Sequence, residues 1–359
     1  MNYNQLIDYF AQVIQEIFNR VGNAKDLTND KNAQELIKAI LSALDSLGLK
    51  TSEVMPKELE KAYLQAVSDS TKDLVAQNVK VDALTPAEVV RKKLHVAALK
   101  ILVRDTLEDL RTAIRTARNS AVTTIKRVLS KTKKEITKGL IKGNSRKFVS
   151  KKVAKAFQEE GLVCFVTSDN KRIRLDKYAK IVTSVKMRDA STQGAVNRYK
   201  ESGVDLVRIS SQKPTCHVCS RYSDMVISLT GKHKGFKSIN DVGVRLPPYH
   251  PHCRCTCSSY VIEYKTDAEI KEEQEKWNSF SLSVDNRSPA EKRAYDKEQE
   301  IRRKAHEELK LYEKYSAVLG DSMYKTIGAF RRAKRSNAKS WQEMQVKYRQ
   351  MNKELKALE

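Results

Sequence analysis

The sequence predicts a mainly α protein, elongated and built from long helices, with a small α+β lobe stapled by cysteine and histidine side chains. Three observations carry that expectation. Glycine (12) and proline (7) are scarce over 359 residues, well under the usual roughly 7% and 5%, which argues against a sandwich, a propeller or a dinucleotide-binding fold. Apolar residues recur at three- and four-residue steps through long stretches of the chain. Five of the six cysteines and four of the seven prolines crowd into one segment, Pro214 to Cys257.

Four regions follow from these patterns. Residues 1–84 read as an N-terminal region of short amphipathic helices. Leu6, Tyr9, Phe10, Val13, Ile14, Ile17 and Phe18 form one apolar face, which ends at Gly22. Leu36, Ile37, Ile40, Leu41 and Leu44 repeat the pattern before Gly48. Residues 85–158 read as a long helix that turns strongly basic. Thr85-Pro86-Ala87-Glu88 is a capping box with proline in the first turn. Leu99, Val103, Leu107, Leu110, Ile114, Ala117, Ala121, Ile125 and Val128 then form a near-heptad seam. It predicts a helix of about 45 Å at 1.5 Å per residue, packed against its own chain or self-associating with a copy of itself through residues 99–128.

Residues 159–265 form the expected α+β lobe. Leu162–Val166 and Val204–Ile209 are β-like runs, with a helix from Tyr178 to Lys200 between them. Cys164 sits among apolar neighbours and reads as a core thiol. Residues 266–359 form a charged helical extension opened by two more capping boxes, Thr266–Glu269 and Ser288–Glu291.

Charge is unevenly placed. The net charge is +24, yet residues 1–120 hold 17 Lys/Arg against 16 Asp/Glu, while residues 121–212 hold 22 against 8. A localised field of this kind attracts polyanions. Between residues 126 and 155 there are 12 Lys/Arg and one acid, Glu135. Lys126, Arg127, Lys131, Lys133, Lys134, Lys138, Lys147, Lys151 and Lys152 are the DNA-contact candidates there, spread over nearly every helix face. Gly139 and Gly143-Asn144-Ser145 are expected to break the rod. A second basic element holds Arg331, Arg332, Lys334 and Arg335. Few aromatic or amide side chains interleave with these cations, so contact with double-stranded DNA is expected to be non-specific. No apolar run approaches the roughly 20 residues of a membrane span. The N-terminus carries Asp8 and no basic cluster, unlike a signal peptide, so a reducing compartment is expected.

The cysteines carry the chemistry. Cys216-His217-Val218-Cys219 and Cys253-Arg254-Cys255 are two close thiol pairs separated by a long loop. A turn of CxxC lets two sulfurs face one ion, and Cys253 and Cys255 on a strand would point to one side. His250 offers a nitrogen in place of either pair member. Such a soft donor set suits one structural zinc ion, whose binding also supplies folding energy to a lobe with little core. A redox pair, disulfides or unliganded thiols are the alternatives, and the spacing does not decide which four donors hold the ion. A catalytic metal is disfavoured, because acids are scarce in the loop: Asp224 and Asp241.

Pro248-Tyr249-His250-Pro251-His252-Cys253-Arg254-Cys255, after the CxxC, resembles the C-terminal signature of the Mu F-like head-morphogenesis (minor capsid) proteins of tailed bacteriophages. His252 stands where that family usually has Asn, and of the family's Arg-Thr-Glu helix start only Arg188 carries over. Cys257 lies outside the signature and is left out of the donor set. The resemblance spans roughly residues 175–260. It implies a virion protein of the capsid interior near the portal, present in host cytoplasm during assembly, with portal and major capsid proteins as partners. It would assist head assembly and DNA packaging or ejection without being an enzyme. Two rivals remain at this point. One is a zinc-dependent nuclease or toxin delivered with phage DNA, for which His233 and Asp241 are the near candidates. The other is a transient assembly factor absent from mature particles.

Overall fold

The computed structural model describes residues 1–24, 27, 29–82, 84–137, 151–156, 159, 164–166 and 172–356. The chain is mainly α. Helices α1 (Tyr3–Gly22), α2 (Asp30–Ala76), α3 (Pro86–Val89) and α4 (Lys93–Thr137) precede a β1–β2 hairpin (Cys164–Val166, Arg172–Arg174). Then come α5 (Leu175–Glu201), β3 (Leu206–Ser210), α6 (His217–Ser220), β4 (Val226–Ser228) and β5 (Thr256–Ser259). Helices α7 (Asp267–Lys276), α8 (Pro289–Leu319), α9 (Ile327–Arg335) and α10 (Lys339–Lys356) complete it.

The described residues divide into two compact units, each discontinuous in sequence. One holds Met1–Tyr3, Ser52–Asp109 and Lys180–Gln299; the other holds Asn4–Thr51, Leu110–Ala179 and Glu300–Glu359.

Helix α2 corrects the expectation of short N-terminal helices. It runs 47 residues, through Gly48 and Pro56. A glycine in a helix interior costs only about 1 kcal/mol, and burial on both sides of it outweighs that. Leu36, Ile40, Leu44, Leu47, Thr51, Met55, Leu59, Tyr63, Val67, Ser70 and Leu74 are all buried at three- and four-residue steps. The stripe therefore never breaks at Gly48, where the pattern suggested an end, and it runs on past Pro56.

Helix α3 is shorter than its capping box implied. The box is formed, Thr85 accepting from the Glu88 N–H and Glu88 from the Thr85 N–H, but the helix stops at Val89. A turn at residues 90–92 lets α4 start afresh with His95 wholly buried. There His95 Nδ1 lies 2.8 Å from Tyr63 Oη, and Nε2 lies 3.4 Å from Glu201. Asn197 donates to Tyr63 Oη at 2.7 Å, and Arg198 bonds Thr71, Glu201 and the Asp82 carbonyl. Burial holds the His95 ring below its ordinary pKa against the pull of Glu201. This network joins α2, α4 and α5 at tertiary level, which no local cap encodes.

The seam on α4 packs within the chain from Leu110 onward. Leu110, Ile114, Ala117, Ala121, Ile125 and Val128 are buried, whereas Leu99, Val103 and Leu107 are half-buried. Arg118 pairs with Asp45 of α2. The expectation of self-association through 99–128 therefore loses its buried half to this packing.

In the first unit a three-stranded antiparallel sheet, order β4-β3-β5, carries the lobe. Val207 is paired with both Ile227 and Ser259, so β3 is central and buried. Its core gathers Tyr199, Leu206, Ile209, Tyr222, Val226, Ile227, Tyr249 and Trp277 with the thiols of Cys216, Cys219, Cys253 and Cys255. Asp73 of α2 ties β5 down, accepting from Ser259 N–H (2.9 Å), Ser259 Oγ (2.7 Å) and Tyr199 Oη (2.9 Å). In the second unit Tyr315, Leu319, Phe330, Trp341, Met344 and Tyr348 from α8, α9 and α10 form an aromatic cluster. Helix α8, charged along most of its length, buries its C-terminal turn in that cluster.

Candidate metal centre

Three short pieces of chain bring the thiols together. Cys216 caps α6, its Sγ accepting the Cys219 N–H at 3.3 Å, so one turn of helix brings Cys219 back to the same side. The loop after residue 246 returns His250 and Cys253, joined by a 2.9 Å bond from the Cys253 N–H to the His250 carbonyl. Cys253 and Cys255 lie in the loop just before β5 rather than on a strand. The alternation expected of a strand survives, because both thiols enter the cluster.

The donor atoms form two triads that share Cys219. Cys216, Cys219 and His250 make one, Cys219, Cys253 and Cys255 the other, and within each the ligand atoms lie within 4.8 Å. His250 Nε2 is 3.1 Å from both Cys216 Sγ and Cys219 Sγ, and Cys219 Sγ is 3.7 Å from Cys253 Sγ. All four thiols are buried and free, far beyond the roughly 2.05 Å of a disulfide. The 3.7 Å separation matches the edge of about 3.8 Å that two sulfurs span on a tetrahedral zinc with bonds of about 2.3 Å. The donor set therefore fits a soft divalent ion. Cys257, left out of the set on sequence, belongs to neither triad.

The cluster's electrostatics point the same way. Hydrogen bonding from Cys219 pulls the Cys216 thiol down to about 5, and likewise lowers Cys253. The same bonds push Cys219 up. Packed sulfurs cannot all ionise together without a cation among them. His250 Nδ1 accepts the His252 N–H at 3.2 Å, which leaves the ring proton on Nε2, facing both sulfurs. In that tautomer His250 donates to Cys216 and Cys219.

Basic side chains tie the loops to the elements around them. Arg188 of α5 donates to the Pro251 carbonyl at 3.4 Å, a role for the one family residue that carried over from that helix. Arg287 donates to the Thr215 carbonyl at 3.0 Å while forked onto Asp285. Arg254 pairs with Glu298 at 3.6 Å. Asp241 is used in a loop turn, accepting the Ser238 N–H at 2.7 Å. His233 lines a separate cavity of about 320 Å³ with Asp205 and Tyr260.

The basic residues fall into two sets. Lys126, Arg127 and Lys131 are exposed on α4, but Ile125, Val128 and Leu129 beside them are buried. The expected charge on every face is thus an amphipathic face here, because α4 still packs at this point. Lys151 and Lys152 are half-buried, and Lys151 Nζ reaches the Met351 sulfur at 3.9 Å. Lys133 and Lys134 lie on α4 with side chains outside the described ones, and Lys138, Lys147, Gly139 and Gly143 lie outside the described residues, as does the side chain of Cys164. On α9, Arg331, Lys334 and Arg335 share one carboxylate, Glu308, at 3.1, 3.6 and 3.8 Å, and Arg332 is exposed. One acid leaves that group of four with a surplus of positive charge.

Comparison with protein families gives the class directly: the family described as phage minor capsid protein 2 matches residues 10–357. The chain belongs to that family. The match spans both units, far beyond the 175–260 stretch that carried the motif resemblance. No curated protein and no solved structure matched. Membership makes the chain a component of phage particles, with partners among capsid proteins. Among the described residues no helix is long and apolar enough to cross a membrane.

Proposed function

We propose that this minor capsid protein sits at the capsid interior near the portal. There it assists head assembly and DNA packaging or ejection by contacting DNA without reading its sequence. The observation that carries the reading is the family match over residues 10–357 joined to the charge of 22 Lys/Arg against 8 Asp/Glu in residues 121–212. Lys126, Arg127, Lys131 and the α9 cations neutralise phosphates, and the N-terminal helices and the cysteine lobe dock on portal or capsid protein.

One zinc ion, held by the thiols of Cys216, Cys219, Cys253 and Cys255 with His250 beside them, supplies folding energy rather than chemistry. The chain's own part is to present the donors, shield them with Tyr249 stacked on Tyr222 at 4.2 Å, and fix their loops through Arg188 and Arg287. The reading is non-enzymatic.

Binding of the full chain to two unrelated DNA duplexes between 50 and 200 mM salt tests the DNA contact. The expected result is equal affinity for both and a fall of about a thousandfold or more across that range. An affinity that stays flat with salt, or a strong preference for one sequence, contradicts it.

A further inference from the structure

One basic cluster in the second unit is arranged unlike the others. Arg174, at the end of β2, takes two carboxylates for itself. It is forked onto Asp176 at 2.6 and 2.5 Å and also pairs with Glu313 of α8. Nearer to Lys310 in sequence, Glu308 is already shared by the α9 cations, while Asp176 adjoins Lys177 and Glu313 lies three residues past Lys310. With Asp176 and Glu313 turned toward Arg174, Lys177 instead faces a histidine: its Nζ lies 3.5 Å from His306 Nδ1. Lys310 follows His306 by four residues on α8, so the two side chains share one helix face. Lys177 is half-buried, while His306 and Lys310 are exposed.

We infer that Lys177, His306 and Lys310 form a phosphate-binding site that engages a phosphate of the DNA backbone. The inference rests on the DNA-contacting reading above. The Lys177 ammonium meets the imidazole, Lys310 lies one turn along the same helix face, and Asp176 and Glu313 are committed to Arg174, which leaves a position where an oxyanion would be welcome. Lysine supplies point charge and the ring an N–H donor, and none of the three reads a base. Before an anion binds, Lys177 donates to a neutral ring. Burial lowers the His306 pKa, and Lys177 and Lys310 lower it further, against Glu313 and Glu307. Lys177 is lowered by burial too, with Arg174 and Lys310 acting in the same direction and Glu313 and Asp176 opposing. A phosphate reverses the balance, so its binding takes up a proton on His306. The α9 group differs, since Arg331, Lys334 and Arg335 already share Glu308.

The test is a histidine-ring NMR titration of the full chain, with H306Q used to assign the resonance among the six histidines. Inorganic phosphate and a short DNA duplex are the two probes, with chloride at matched ionic strength as reference. Both are expected to raise the His306 pKa by about one unit, and K177Q or K310Q to shrink that rise while the melting temperature holds. A His306 titration that neither probe moves overturns the site. If phosphate moves it while DNA binds the chain without doing so, the DNA assignment is overturned and the broader DNA reading stands. If the chain does not bind DNA at all, that reading fails on its own, and the phosphate arm alone upholds or overturns the anion site.

Discussion

Two small cores in this chain are closed by opposite chemistry. The cysteine lobe packs a three-stranded sheet under long loops, and its centre is a cluster of buried thiols. The α8–α10 cluster has no thiols and is filled with rings: Tyr315 stacks on Tyr348 at 4.1 Å, and Phe330 meets Trp341 edge-on at 5.2 Å. The first core buries a sheet as well as its loops, and on the proposed reading the ion held by its sulfurs staples those loops down. Helices with aromatic knobs bury enough area to stand on packing alone. Each core holds one of the chain's two tryptophans, Trp277 and Trp341, so the two can be watched separately.

The largest effect should come from Cys219, which both triads share. C219S or strong chelation removes the ion, and with it the binding energy of about 10 kcal/mol or more that a structural zinc supplies. In a chain carrying W341F, Trp277 emission shifts red. In one carrying W277F, Trp341 emission is unchanged. If both tryptophans respond alike, the two cores are not independent and the comparison breaks. C257S should keep the metal, since that thiol stands outside both triads.

The reciprocal change is F330A, at a wholly buried ring. It should cost about 3–5 kcal/mol, read as an early Trp341 transition in urea, with one metal ion per chain retained. Loss of metal in F330A would show the lobe to depend on the aromatic cluster.

A smaller effect sharpens the picture of the lobe's rim. Arg208 bonds Asp224 at 2.6 Å and Glu273 at 2.7 Å, and Lys276 bonds the same two acids at 3.1 and 2.9 Å. Burial alone would raise the Asp224 carboxyl, but Arg208 and Lys276 prevail and hold it below its ordinary value. A depressed folded-state pKa contributes stability above the unfolded value, about 4, and loses it as pH falls further. D224N should therefore be less stable than wild type near neutrality, with the gap closing below about pH 4. Asp224 is 61% exposed, so the gap should stay under about 1 kcal/mol. Urea melts of both proteins at several pH values measure it.

The same contrast explains what could be read in the sequence. Thiols are rare and their spacing is local, so Cys216, Cys219, Cys253 and Cys255 declared themselves before any fold was known. The three capping boxes at Thr85, Thr266 and Ser288 also formed as spelled. The aromatic cluster was hidden because its rings lie on three helices, 33 residues apart from Tyr315 to Tyr348, among lysines and arginines that dominate the pattern. Local rules also misjudged α2: Gly48 read as the end of its apolar pattern, and only the buried stripe beyond it shows why the helix continues. The Tyr63–His95–Glu201 network and the sharing of Glu308 by three cations are likewise tertiary facts that no motif announces.

The most direct test of the account is ultraviolet cross-linking of DNA-filled particles of the source phage, followed by mass spectrometry of this chain's peptides. The account predicts a chain present in far fewer copies than the major capsid protein, with DNA cross-links in peptides around Lys126–Lys131 and His306–Arg335. A chain missing from mature particles, or present there with no DNA cross-link at all, would contradict it.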